Sequence, residues 1–446
     1  MNKPIIISGQ WYLPGEPNKT LSGTLEYIPG ENISLVIHGT FELFRRKGSY
    51  VPIIHGNTQK GPITLVNTFY TRESWSNSIA FSNYRPTFAY IGIHFTATED
   101  LRLRNSLINF HGLYTYLGLS GRKFSNLNNN NNNINWTLNY VAPEPIPFNI
   151  ENNLSGHIFF EGLVNTEEHS AKFEENVWIK LNFNNEIGFV EYSQTLNCLR
   201  ALFTFLSNKI CYPDVILLNY SSSSDNIKLY YSNIFLGKQY GKNEQEIVSF
   251  ENIKNNISGL FSKWFSYYTR INSAINIRTH SFYLDNSFSD ERFFDSVRAL
   301  ESFHRTLRNN SLFEVNEYNR LVDSVKKSVN LETKYQIWFN NRFSFGNEPP
   351  LKHRLLGLLN EIPNSISSLI TDDIEWFAKI IRNTRNYYTH KSENLQKQVF
   401  NQSQQVKATK SIELLLSYFI LKEIGIDEEA IEINLKNSLE KVEKCA

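Results

Sequence analysis

The stretch from Ile374 to His390, IEWFAKIIRNTRNYYTH, decides how the C-terminal half of the chain is read. Thr371, Asp372 and Asp373 stand before it, three residues able to cap a helix and to place negative charge at its positive end. Ile374, Phe377, Ala378 and Ile381 recur at the spacing of an amphipathic helix. One step further along that stripe stands Arg385. At about 100° per residue, Arg382, Arg385, Asn386, Thr389 and His390 share an arc of about 140°. A helix side that begins apolar therefore ends in two guanidiniums, an amide, a hydroxyl and an imidazole. An arginine on a packing stripe needs a partner or a task.

Around this stretch lie 446 residues, enough for two or three domains. The composition is globular, with 41% hydrophobic and 20% charged residues and a net charge of +1. No global field draws such a chain to a polyanion, so any nucleic acid must be held by a local patch. The four lysines and arginines between Lys379 and Lys391, with no acidic residue among them, form one. Cys198, Cys211 and Cys445 are too few and too scattered for a disulfide framework or a zinc site, and neither metal nor cofactor is expected. The start, MNKPIIISGQW, lacks the apolar core of a signal peptide, and no apolar run is long enough to span a membrane. The chain reads as cytoplasmic with no membrane partner.

Residues 1 to about 165 read as β structure. Pro14-Gly15, Pro29-Gly30 and Gly61-Pro62 separate short segments such as Thr24–Ile28, Ile33–Ile37, Ile63–Phe69 and Phe88–Phe95. This spacing points to a sandwich or a curved antiparallel sheet. The asparagine-rich tract Asn126 to Asn135 reads as an exposed loop. From 166 to 245 the pattern is mixed: strands at Trp178–Phe183, Val215–Asn219 and Lys228–Tyr231, a helix from Tyr192 to Leu206, and a polar loop at Ser221 to Asp225. A boundary falls at Gly237 to Gln245. Beyond it helical spacing takes over, beginning with Ile253, Ile257, Leu260, Phe261, Trp264, Phe265 and Tyr268, the aromatic members of which read as core. Phe293, Val297, Leu300, His304 and Leu307 form another stripe, and further helices are expected at 315–328, 331–341, 351–360, 372–388, 395–424 and 427–441. The fold class is α+β multidomain: a β-rich region over 1–245, then a helical bundle over 246–446 with its core at about 285–446.

Arg385 to His390 is an R-x4-H string, and it resembles the signature of the HEPN superfamily, helical domains that include many metal-independent RNases. Arg298-Ala-Leu-Glu-Ser-Phe-His-Arg305, then Leu351-Lys-His-Arg-Leu-Leu-Gly-Leu-Leu359, then the RNYYTH helix follow the order of ApeA-type antiphage proteins. Trp11-Tyr12-Leu13-Pro14 with Gly23-Thr24-Leu25 is similar to the start of their β-rich N-terminal domain. The resemblance implies an endoribonuclease acting in abortive infection, assembled as a homodimer or higher homo-oligomer. It also implies an N-terminal region that answers a phage-derived trigger. Some HEPN toxins carry a tyrosine two residues after the histidine; Ser392 stands there in this chain.

The chemistry accounts for the residue types. RNA carries its own nucleophile, the 2′-hydroxyl, so cleavage needs a group that exchanges protons near neutral pH, and the His390 imidazole suits that task. Arg385 supplies a permanent charge to the phosphate, where negative charge builds in the transition state. Asn386 can donate to the phosphate or hold the imidazole. Arg382 and Lys391 are supporting RNA contacts. Glu301 lies on a buried-looking face and needs a cation, either Arg385 or a neighbour on its own helix, Arg298 or Arg305. The substrate is RNA, with tRNA among the candidates, and the product would carry a 2′,3′-cyclic phosphate. Lys352-His353-Arg354 reads as an RNA contact or, more readily, as a solvated helix start. His94 and His111 read as ordinary hydrogen-bonded histidines. A HEPN protein that binds RNA, nucleotide or a protein partner without catalysis is the competing class; intact Arg385 and His390 favour the enzyme.

Overall fold

A computed structural model describes residues 4–28, 31–41, 48–76, 79–98, 101–128, 134–150, 154–220, 226–232, 246–280, 289–329, 332–391 and 393–439. The boundary segment Gly237 to Gln245, the loop Ser221 to Asp225 and Cys445 lie outside these residues. The chain divides into two compact units, one built from 1–265 and 282–285 and the other from 266–281 and 286–446.

The first unit opens with six strands: β1 (Ile5–Tyr12), β2 (Leu21–Tyr27), β3 (Ile33–His38), β4 (Tyr50–Thr58), β5 (Gly61–Ser76) and β6 (Ile79–Ile91). In the order β6-β3-β2-β1-β4-β5 they return to β6, so the sheet closes on itself as an antiparallel barrel. Alternation drives the closure. Ile33, Leu35 and Ile37 of β3 point inward with Ile63 and Leu65 of β5, around a fully buried Trp11. Closure also leaves these six strands without the free edges that invite aggregation.

Strand β6 belongs to two structures at once. One edge pairs with β5 along its length, while Phe81–Tyr84 of the other edge pair with β3 and Phe88–Ile91 pair with β14. The sheet continues outward through β14 (Asn226–Tyr231), β13 (Pro213–Tyr220), β7 (Arg102–Phe110), β12 (Ser170–Gly188), β11 (Leu154–Glu167) and β10 (Ile146–Ile150), all antiparallel. Helix α1 (Leu113–Leu117) follows β7, and α2 (Phe189–Ser207) packs on β7 and β12. After α3 (Phe250–Ile253), helix α4 (Ile257–His280) carries the chain into the second unit. Trp264 of α4 is fully buried, its indole N–H donating to the Cys198 carbonyl at 2.9 Å, whereas Phe265 and Tyr268 are half-buried. The expected curved antiparallel sheet is thus a barrel that opens into a second, flanking sheet.

The asparagine-rich tract is not wholly a loop. Its flanks are strand, forming the hairpin β8 (Arg122–Asn128) and β9 (Ile134–Tyr140); residues 129–133 between them lie outside the described set. A buried carboxylate at the hairpin's base explains this extension. Glu175 accepts hydrogen bonds from Tyr114 Oη, Ser120 Oγ and the Gly121 N–H and pairs with Arg122 at 3.2 Å. His94 donates to the Gly56 carbonyl at 3.1 Å and stacks on His55; His111 stacks on Tyr212, 3.7 Å from Asp214.

The second unit is helical: α5 (Ser289–Leu307), α6 (Val315–Ser328), α7 (Thr333–Phe343), α8 (Leu351–Glu361), α9 (Asn364–Ile370), α10 (Ile374–His390), α11 (Gln402–Glu423) and α12 (Glu428–Leu439). The helix expected over 395–424 is interrupted. A 3-10 turn at Glu393–Gln398 precedes α11, which starts only where Asn401 and Gln404 form a reciprocal capping box at 2.9 and 3.1 Å. Helix α11 is the axis of the bundle, buried along most of its length and packed on α5 and α12. Its Glu413 is buried between Arg292, at 2.8 and 2.9 Å, and Arg278, at 3.5 Å.

Candidate functional site

Helix α10 is built as its sequence requires. Asp373 is the N-cap, its carboxylate accepting from the Trp376 N–H at 2.9 Å. Phe377, Ala378 and Ile381 are buried, and the helix packs on α8. The adjoining face is buried but polar: Thr384 Oγ1 accepts from the Phe400 N–H at 3.0 Å, and Asn383 donates to Gln398 at 3.3 Å. These bonds hold the returning chain against α10. They also orient Arg382, whose Nε and Nη2 both donate to Asn383 Oδ1, at 3.1 and 2.7 Å.

Arg385 is half-buried, and the only hydrogen bond of its guanidinium among the described residues donates from Nη1 to Asn386 Oδ1 at 3.2 Å. Asn386 therefore serves the guanidinium and not the imidazole. Arg385 lies on the rim shared by two open concavities of about 470 and 350 Å3. Four guanidiniums, from Arg298, Arg305, Arg382 and Arg385, line them against the carboxylates of Glu301 and Glu348. The surplus is positive, as a phosphate requires.

Glu301 does reach this rim, but its ion partner is Arg305 at 3.2 Å, one helical turn on; Arg298 pairs with Asp295. Arg305 in turn meets Glu348 at 2.7 Å, and Glu348 meets Arg354 at 3.3 Å. Both carboxylates of the rim are thus engaged, and among the described residues Arg385 has no carboxylate partner. In the sequence Arg305 stands out only as a neighbour of Glu301, and Glu348 only as the residue opening the Glu348-Pro349-Pro350 break. Their sole signal was the four-residue spacing from Glu301 to Arg305.

Arg354 corrects the reading of Lys352-His353-Arg354 as an RNA contact or a solvated helix start. It is almost wholly buried, donating to His304 Nδ1 at 3.1 Å and to Asn310 Oδ1. Burial first, and then the charges of Arg354, Arg308 and Arg305, pull the His304 pKa down to about 4. That histidine is a neutral acceptor in the bundle core. Lys352 is paired with Glu375 at 2.5 Å.

His390 is the last residue of α10 and is exposed, its imidazole making no hydrogen bond or ion pair among the described residues. Lys391 ends the helix by turning left-handed at φ 48°, its N–H bonding the Tyr387 carbonyl at 2.6 Å. A side chain rarely adopts that backbone, which glycine usually occupies. Lys391 also lines a third concavity with Tyr387, Tyr388 and Glu393. Within one chain the structure therefore brings Arg382, Arg385, Asn386 and Glu301 together. It leaves His390 and Lys391 at the open end of the helix, five and six residues on. Among the described residues, no three His, Cys, Asp or Glu side chains converge where a metal ion could sit. No helix of the described residues is long and apolar enough to cross a membrane.

A capped helix ending in an arginine–histidine string, set in a helical bundle behind a β-rich unit, defines a protein with a HEPN domain at its C-terminal end. Comparison with family models agrees on both parts: the ApeA N-terminal domain 1 matches residues 6–264, and the Apea-like HEPN domain matches residues 294–430. The chain belongs to the ApeA-type family with a C-terminal HEPN domain, and that membership points to a nuclease function in antiphage defence. No curated protein and no solved structure matches it.

Proposed function

We propose that this protein is a metal-independent endoribonuclease that cuts RNA during phage infection and arrests the host. One observation carries the reading: Arg385 stands on a positively lined rim with its guanidinium uncompensated by any described carboxylate. Such a charge, held in place by Asn386, suits a phosphate oxygen. His390 takes the 2′-hydroxyl proton or returns it to the leaving 5′-oxygen, leaving a 2′,3′-cyclic phosphate. A second copy across a two-fold axis completes the site in this reading, as the HEPN resemblance implies, since one helix offers only one imidazole and two guanidiniums to the phosphate. The N-terminal unit restrains or licenses this site on meeting a phage component. Total cellular RNA incubated with the purified full-length protein in EDTA, beside His390→Ala, tests the proposal. Metal-free cleavage that disappears in the variant supports it; equal cleavage by both proteins removes it.

A further inference from the structure

Helices α6 and α7 are the least covered part of the bundle. Among the described residues of the pair, only Val322 and Phe339 are buried apolar side chains. Tyr318 ties the two helices together by donating to the Phe343 carbonyl at 2.7 Å, and Phe339 packs on Phe343. The inner seam is thereby satisfied, yet the outer face of α7 is rich in aromatics. Tyr335 is 48% exposed and Trp338 57% exposed, and Phe345, just past the helix, is 72% exposed. Aromatic rings this large are seldom left to water on a surface without a ligand.

Their neighbours say what that ligand is. Tyr335, Trp338 and Arg342 are spaced three and four residues apart, so they share one side of the helix. Lys334 Nζ lies 4.7 Å from the Tyr335 ring centroid, and Arg342 lies 5.8 Å from that of Trp338. Glu332 pairs with Lys334 at 2.9 Å, and no further acidic residue occurs before Glu348. Aliphatic protein-docking faces do not carry a cation on each ring; surfaces that stack bases and hold the backbone beside them do. The platform also leads somewhere. Phe345 lines the concavity that holds Arg382, Arg385 and Asn386.

We infer that the Tyr335, Trp338 and Arg342 face of α7, continued by Phe345, is a stacking platform for single-stranded RNA leading to the Arg385 rim. Stacking on rings is tolerant of base identity, and a duplex, whose bases are already stacked on each other, cannot use it. The platform thus selects unpaired RNA without reading its sequence. This inference rests on the RNase reading for its purpose, and its test separates the two.

The full-length protein is titrated with a single-stranded 2′-O-methyl oligonucleotide, which has no free 2′-hydroxyl to cleave, and with the same sequence as a duplex. The single strand should bind more tightly. Trp338→Ala and Phe345→Ala should each weaken its binding about tenfold, the equivalent of about 1.4 kcal/mol, while Trp338→Phe keeps most of it. Both side chains are exposed enough for the three variants to fold, which thermal melting verifies. Unchanged affinity in the alanine variants overturns the platform. So does a fall in sedimentation coefficient in the same variants with no loss of RNA binding, because the face would then be a contact between copies of the chain. Cleavage of ordinary RNA with unaltered KM in Trp338→Ala removes the platform and leaves the RNase standing. Wild-type binding that depends on Trp338 without cleavage of ordinary RNA leaves the platform standing and removes the RNase.

Discussion

Among the described residues neither Arg385 nor His390 has an ion partner, and the one hydrogen bond of the Arg385 guanidinium goes to its neighbour Asn386. Arg385→Ala and His390→Ala should therefore abolish RNA cleavage and growth arrest while changing stability by no more than about 0.5 kcal/mol, as checked by urea unfolding. His390 and Thr389 are exposed and the guanidinium of Arg385 is only half-covered, so neither change opens a cavity. Glu413 gives the opposite expectation. It is enclosed between Arg278 and Arg292, and Glu413→Ala would remove the buried carboxylate that both cations share, at a cost of about 3–5 kcal/mol. Two buried groups also set the acid response. Burial opposes the charge of Glu413, but Arg278 and Arg292 overcome it and hold its pKa down to about 2. His304, at about 4, is also below its ordinary value. In both cases the unfolded chain binds protons that the folded chain refuses, so stability falls as pH falls. His304 acts between about 6.5 and 4, and Glu413 acts below the ordinary carboxylate value of 4.5. Unfolding midpoints of wild type and His304→Gln, measured from pH 7 to pH 4, should converge toward the acid end. Parallel curves would show that His304 does not titrate as its burial requires.

At the scale of elements, the barrel shows how a short motif can carry a fold. Trp11 of β1 pairs with Gly56 of β4, and the indole lies over that glycine. A Cβ at position 56 would fall 2.4 Å from the ring, and one at Gly23 of β2 would meet the Val36 carbonyl at 2.5 Å and the indole at 3.0 Å. The tryptophan and these two glycines are thus one packing unit spread over three strands. Gly56→Ala should destabilise the first unit by about 1–3 kcal/mol, or more if β1 cannot shift, as followed by thermal melting. Trp11→Phe with Gly56→Ala should recover part of the loss, since the smaller ring frees the space; a double variant no better than Gly56→Ala would show that strand register, not ring volume, is the constraint. Helix α10 is an element of another kind, apolar where it packs and polar where it ends. The left-handed Lys391 stops it directly after His390, which keeps the imidazole at a helix end open to solvent.

For the whole molecule, the proposed site makes assembly a condition of activity. Sedimentation at assay concentration should find active protein only as a dimer or larger, and a fully active monomer would eliminate the shared site. Mixing Arg385→Ala with His390→Ala protomers should restore part of the cleavage if one intact set across the interface suffices. The β-rich unit is larger than the helical one and, in the proposed division of labour, supplies control. Exposed positions of the β8–β9 hairpin, such as Phe124, offer a first set of substitutions. These should uncouple infection from RNA cleavage while leaving the fold and the Arg385 and His390 site unchanged. Normal infection-dependent cleavage in every hairpin variant would move the sensor elsewhere.

Local pattern determined a good deal of this protein. Turn pairs and two-residue alternation marked parts of β2, β3, β5, β12, β13 and β14, although Phe88–Phe95 covered only the end of β6 and ran past its last residue, Ile91. Stripes of 3.6-residue period placed the helices at 315–328, 331–341, 351–360, 372–388 and 427–441 within two residues of their described ends. These signals are local, because a strand or helix shows its buried face in its own sequence. The Arg385-to-His390 string and its capped helix were legible for the same reason. Closure of β1–β6 was not, since it depends on β6 offering different halves of one edge to β3 and β14, a pairing between distant segments. Nor could the sequence choose among partners for Glu301, or tell that Arg354 turns inward to His304 while Lys352 meets Glu375. Charges three or four residues apart have equal claims in one dimension. Only the packing of α5, α8 and α10 decides which guanidinium is engaged, which is buried, and which, Arg385, has no carboxylate partner among the described residues.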